Sequence, residues 1–168
     1  RLPEVDTVMA GIVGAAGRPG DAGVPFATLA RLLRAVVQHA DEARGGDAVL
    51  PAETRSAIAR VLPELDPAPP AAGEGQRMLM QHALRGFLDG QGGLAGLWVD
   101  DLHFADEASL EMLRALIDED VAPRDGRTPL RWVLGYRPAE SGSAVQALHD
   151  ALVESARLTP VLLRPLDE

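Results

Sequence analysis

The chain has 168 residues, enough for one domain with a real core, and 16 basic against 25 acidic side chains give it a formal net charge of −9. Every basic residue is Arg, and so acidic a chain is not a nucleic-acid platform, because phosphate neutralisation needs clustered cations. The absence of Cys excludes a disulfide frame, thiol catalysis and thiolate metal sites; no apolar run has the length of a membrane span and no signal peptide is present, so a cytoplasmic setting is expected.

Val5–Val13 (VDTVMAGIV) is rich in β-formers and is expected to be a strand. Gly14–Gly23 is glycine-rich, as a phosphate cradle is. A P-loop needs G-x-x-x-x-G-K-[ST], with Lys on the β- and γ-phosphates and a hydroxyl on Mg²⁺. Here Gly17 is followed by Arg18 and Pro19, and the chain has no Lys, so the stretch reads as a connector. Phe26–Ala40 is predicted as an amphipathic helix: Phe26, Leu29, Leu32, Leu33, Val36 and Val37 form one stripe, with Arg31 and Arg34 outside it. Leu50–Leu62 is a second helix, with Pro51 suited to the first turn. Pro63–Gly75 is a linker by composition and is expected to be mobile. Gln76–Leu88 is a third helix, whose Met residues read as core filler. These helices make a helical insertion over about 26–90. Gly90–Ala95 fits G-x-G-x-x-A by letter, but it leaves a helix and enters a strand, the reverse of the dinucleotide fingerprint, and reads as a turn.

The informative stretch is Leu94–Asp106, LAGLWVDDLHFAD. Leu97-Trp98-Val99 reads as a buried strand of a parallel sheet, and the adjacent carboxylates Asp100 and Asp101 stand at its C-terminal end, where open α/β sheets place ligands. One such Asp can hold Mg²⁺, directly or through water, while its neighbour orients or deprotonates a water. This is the Walker B pattern of nucleotide triphosphatases. A solvated strand end and a helix-capping acid are the plain alternatives. Asp106 reads as the N-cap of a helix over Glu107–Glu119, with Leu110, Leu113 and Ile117 on one face. Asp118–Asp120 and Arg124–Arg127 read as solvated charge. Leu130–Tyr136 is another buried strand, delivering Arg137 and Pro138 at its end. Ser143 opens the next helix, with Gln146 completing a capping box. Leu158–Leu163 is a last strand, made irregular or placed at an edge by Pro160. Strand–helix alternation from Leu97 onward implies a parallel sheet with right-handed crossovers, so Asp100, Asp101 and Arg137 should share one rim. That rim suits a Mg²⁺–phosphate ligand, with the guanidinium on the γ-phosphate.

VPFATLARLLRAV (Val24–Val36), LWVDDLHFADEASLEMLRAL (Leu97–Leu116), VLGYRP (Val133–Pro138) and the closing LTPVLLRPLDE together resemble the AAA-type ATPase domain of the STAND-class signalling ATPases, as in large LuxR-type transcriptional regulators and cyclase-linked ATPases. The resemblance covers most of the chain from Gly17 on. It implies a three-layer P-loop-NTPase-like fold, a parallel sheet flanked by helices. It also implies a function: part of a regulatory ATP-binding and ATP-hydrolysing switch domain of a multidomain bacterial regulator, with ATP and Mg²⁺ as cofactors. By the resemblance Asp100 is the Walker B metal ligand, Asp101 the acid beside the attacking water, and Arg137 the sensor of the γ-phosphate; His103 matches the family's histidine in this motif. The family's P-loop does not occur in this sequence. The chain, running from Arg1 over residues 1–168, is therefore expected to be a partial ATPase domain, inactive by itself.

Two other readings stand beside this one. A non-catalytic relative would keep the fold as a protein-interaction scaffold. A Ser-His-Asp hydrolase could draw on Ser141, Ser143 and His149, but no G-x-S-x-G elbow is present. The resembled strand order places the absent P-loop strand between Leu130–Tyr136 and Leu158–Leu163. Three outcomes follow: the last strand closes the gap, another chain pairs there, or the last strand detaches. Edge pairing, and hence self-association, is the favoured expectation, with no nucleic-acid and no membrane contact by this segment.

Overall fold

The structure is a computed structural model that describes residues 11–43, 45, 52–65, 74–119 and 129–163. In chain order the elements are β1 (Ile12–Ala16), α1 (Ala27–Ala43), α2 (Ala52–Ile58), α3 (Glu74–Asp89), β2 (Gly96–Asp100), α4 (Glu107–Glu119), β3 (Arg131–Leu134) and α5 (Ser143–Glu154). Single helical turns follow each strand, at Asp21–Gly23, Leu102–Phe104 and Pro138–Glu140. The three strands form a parallel sheet in the order β1-β2-β3. Parallel neighbours cannot be joined by tight turns, so helices fill both crossovers. The protein is thus an α/β fold with a parallel sheet flanked by helices. No helix among the described residues is long and apolar enough to cross a membrane.

Alternation along the strands decides where the core lies. Val13, Leu97 and Val99 are buried on one face of the sheet, with Trp132 and Leu134 packed beside them. Onto this cluster α1 brings Leu29, Leu32, Leu33 and Val36, α3 brings Leu84 and Leu88, and α4 brings Leu113 and Leu116. Each such side chain, fully withdrawn from water, contributes about 1.5–3 kcal/mol. On the opposite face Trp98 and Val133 are register partners and stay 42% and 52% exposed. The Trp98 ring lies over Gly14, where an added Cβ would come within 2.4 Å of it, so β1 has to carry a glycine there.

Several boundaries differ from those expected. β1 runs from Ile12 to Ala16 and so takes in Gly14, because Gly14 and its neighbours pair with β2 from Ile12↔Gly96 to Ala16↔Asp100. Val5–Ala10 of the expected strand lies outside the described residues. So do Leu50–Pro51, residues 66–73 of the linker, Asp120 and Arg124–Arg127, and the closing Arg164–Glu168. The helix expected to start at Gln76 begins at Glu74, inside the segment read as linker. Ser143 and Gln146 form no capping box. Gly142 is the N-cap and offers no side chain, Ser143 is the first helical residue, and the Gln146 amide donates to Asp150 at 2.8 Å. Leu158–Leu163 is not a strand. The chain leaves α5 through Ala156 in the left-handed region, Leu158 touches the core, and Val161, Leu162 and Leu163 are exposed. Pro160, within this segment, has no N–H to offer a ladder.

Candidate functional site

Asp100 is the last residue of β2 and Asp101 the first beyond it. Asp101 has φ 50° and ψ 39°, a left-handed conformation that few side chains other than Asn and Asp accept. This bend ends the strand and starts the turn Leu102–Phe104, closed by Phe104 N donating to the Asp101 carbonyl at 3.0 Å. The Asp101 N–H donates to Asp100 Oδ1 at 2.8 Å, which fixes the first carboxylate against the backbone of the second. Asp100 points towards the end of β3, where Gly135 leaves room for it. A Cβ on Gly135 would lie 2.3 Å from Asp100 Oδ1. Gly135 also joins the two strand ends, donating to the Val99 carbonyl at 2.8 Å and accepting from Leu102 N at 3.0 Å. Its place in GYRP was legible in the sequence; its use as space for Asp100 was not.

Arg137 follows β3 and its side chain is 68% exposed. It donates to Glu140 Oε1 at 3.0 Å. The Glu140 hydrogen bond and charge, then the charges of Asp101 and Asp100, raise the pKa of the guanidinium. Because β2 and β3 are parallel neighbours, the two aspartates at the end of β2 and the arginine that follows β3 share one rim of the sheet. The sequence reading did not single out Glu140; its position three residues after Arg137 in one tight turn was the available signal. His103, in the turn after Asp101, extends the row: its Nε2 lies 3.8 Å from Asp101 Oδ1 and 3.6 Å from Glu140 Oε2.

Below the rim, a buried polar joint holds the strand ends to α1 and α4. Asp106, 2% exposed, caps α4 as expected by accepting from Ser109 N at 2.8 Å and Ser109 Oγ at 2.7 Å. The same carboxylate also accepts from Phe26 N at 2.7 Å and Thr28 N at 3.2 Å, and Ser109 Oγ accepts from Leu29 N at 2.9 Å. One Asp–Ser pair thus satisfies the first amides of two helices. On the other side of α1, Arg31 binds the buried Asp21 with two hydrogen bonds, 2.8 and 3.0 Å, and donates to the Ala16 carbonyl at the end of β1 at 2.7 Å. The Arg31 hydrogen bond holds the Asp21 carboxyl below the usual carboxylate range. Arg31 was expected only on the outer face of its helix; its reach back to the strand end depends on a contact between segments that helical spacing does not encode.

A Mg²⁺ keeps several waters and takes one or two carboxylates together with phosphate oxygens. Asp100 fits that donor set. Among the described residues no group of three or more His, Cys, Asp or Glu side chains is arranged to hold a metal ion unaided. The connector after β1 offers no phosphate cradle. Three of its amides are already engaged: Gly17 N on the Asp100 carbonyl of β2 at 2.9 Å, Arg18 N on Asp21 Oδ2 at 2.8 Å, and Asp21 N on the Arg18 carbonyl at 3.0 Å. Comparison with protein-family models, with curated proteins and with solved structures gives no match to the chain.

Proposed function

We propose that the rim formed by Asp100, Asp101 and Arg137 is the metal and γ-phosphate side of an ATP–Mg²⁺ site, in a regulatory AAA/STAND-type switch domain of a bacterial signalling or transcription regulator. The observation that carries this reading is the convergence of two adjacent strand-end carboxylates and one arginine at the C-terminal rim of β2 and β3. Asp100, held by the Asp101 amide and given space by Gly135, would anchor Mg²⁺ with water completing the shell. Asp101 would orient and accept a proton from the attacking water. Arg137, hydrogen-bonded through one nitrogen to an exposed Glu140, would exchange that partner for a phosphate, which can accept from two of its N–H groups. The bound Mg²⁺ supplies neutralisation of charge developing on the phosphate oxygens. These 168 residues contain no lysine and no P-loop motif, so the chain by itself is expected to bind ATP poorly and to hydrolyse essentially none.

Self-association through the outer edge of β3 belongs to the same proposal. A non-catalytic scaffold is the alternative. The two are separated in the product of the whole gene by Asp100→Asn and Arg137→Ala. The first should raise the Mg²⁺ concentration needed for turnover, and the second should lower turnover by roughly ten-fold or more, the scale of one charge-assisted contact. A scaffold would turn over no ATP, in wild type or in either variant.

A further inference from the structure

The imidazole of His103 is 1% exposed, and neither of its ring nitrogens has a hydrogen-bond partner. A buried donor or acceptor left without a partner destabilises a fold, so such a group calls for an account. Its ring lies against Phe104, with centroids 4.1 Å apart, which limits how far it can turn. Nε2 stands just beyond hydrogen-bond reach of two carboxylates, 3.6 Å from Glu140 and 3.8 Å from Asp101. The other oxygen of Glu140 is the one that holds Arg137. Asp101, His103, Glu140 and Arg137 therefore form a row that runs from the proposed water-activating acid to the proposed phosphate sensor.

We infer that His103 is a positioning residue that couples the partner of Arg137 to the freedom of the Asp101 carboxylate; the inference rests on the ATP reading above and adds a relay to that site. An Nε2–H, carried by the cation and by one neutral tautomer alike, serves one carboxylate at a time. While Arg137 sits on Glu140, the charge of Glu140 is met, and Nε2 rests between the two carboxylates without bonding either. A phosphate that draws Arg137 away leaves Glu140 uncompensated, and the Nε2–H turns to it across 3.6 Å. Asp101, no longer facing the Nε2–H, is then left to accept from water. No covalent bond changes; one hydrogen bond forms. The rim thus reads a phosphate anion at Arg137 and answers at Asp101.

The test is a set of variants in the product of the whole gene, with ATP–Mg²⁺ as the probe. His103→Leu fills the same space and removes both unpartnered nitrogens, so its thermal midpoint should equal or exceed that of wild type. Its kcat should fall roughly ten-fold with KM for ATP little changed, the signature of lost positioning and not of lost binding. His103→Gln, whose amide can reach the place of Nε2, should recover most of kcat. In a Glu140→Ala background, His103→Leu should cost nothing further, since the relay is already cut. Wild-type kcat in His103→Leu, while Asp101→Asn still stops turnover, overturns the relay and leaves the ATP site standing. Low kcat in both the Leu and Gln variants, with lowered thermal midpoints, assigns His103 to packing and also overturns it. Turnover that is absent from wild type, or indifferent to Asp101→Asn, overturns the ATP reading and the relay together.

Discussion

Four hydrogen bonds end on the Asp106 carboxylate, and they come from two helices distant in sequence. Replacing it with Ala would strip the first turn of α4 of its cap and leave the Phe26 and Thr28 amides facing a cavity. The loss should exceed that of an ordinary cap, about 2–4 kcal/mol against a typical ~1 kcal/mol, measurable by denaturant unfolding. The sequence showed Asp106 as a cap of its own helix, since that role is local; the second helix it serves lies 78 residues away and only the folded chain brings it there. Asp21 allows a different kind of test. Its folded pKa lies below the ordinary 3.8, so its pairing with Arg31 contributes fully above about pH 4 and is lost as pH falls through the depressed folded value. Asp21→Asn should therefore destabilise at neutral pH by about 2–3 kcal/mol, the scale for breaking a largely buried pair. The gap to wild type should narrow as pH falls through that depressed value. A gap that stays constant across the acid range would mean that the pair adds no pH-dependent stability.

At the scale of elements, the helix predicted over Glu107–Glu119 forms over those residues, because a cap, a periodic apolar face and a following acidic run all agree. The α5 boundary was legible but its chemistry was not. Spacing alone points to Ser143 as the cap, whereas Gly142 occupies that position and no side chain caps the helix. Ser143→Ala should then change stability by less than about 0.5 kcal/mol, where loss of a working cap costs ~1 kcal/mol. A larger cost would restore the capping box. Strand ends were harder to place. A glycine in a short apolar run reads as a break, and nothing local reveals that Gly14 is needed beneath Trp98. The rim itself was legible in its strand-borne part: Asp100, Asp101 and Arg137 follow from placing strand ends. Glu140 and the burial of His103 depend on how two turns pack together, which no spacing rule gives.

For the whole molecule, the parallel order β1-β2-β3 leaves the outer edge of β3 unpaired among the described residues, with exposed apolar side chains at Trp98, Val133 and Val161–Leu163. Strands of parallel sheets are ordinarily covered on both faces. Self-association along that edge is expected to appear as a concentration-dependent increase in sedimentation coefficient, reduced by Val133→Lys, which sets a charge on the exposed face of the edge strand. A coefficient independent of concentration would remove self-association from the proposal. The central claim, that this rim performs nucleotide chemistry, is tested most directly by single-turnover hydrolysis of ATP–Mg²⁺ in the whole-gene product carrying Asp101→Asn. Asn accepts the left-handed backbone at this position as readily as Asp does, so the turn and the Asp100 contact should persist. The account predicts nucleotide binding within about two-fold of wild type and hydrolysis slowed by roughly 10²-fold or more, the contribution of a positioned base. Hydrolysis at the wild-type rate would contradict it.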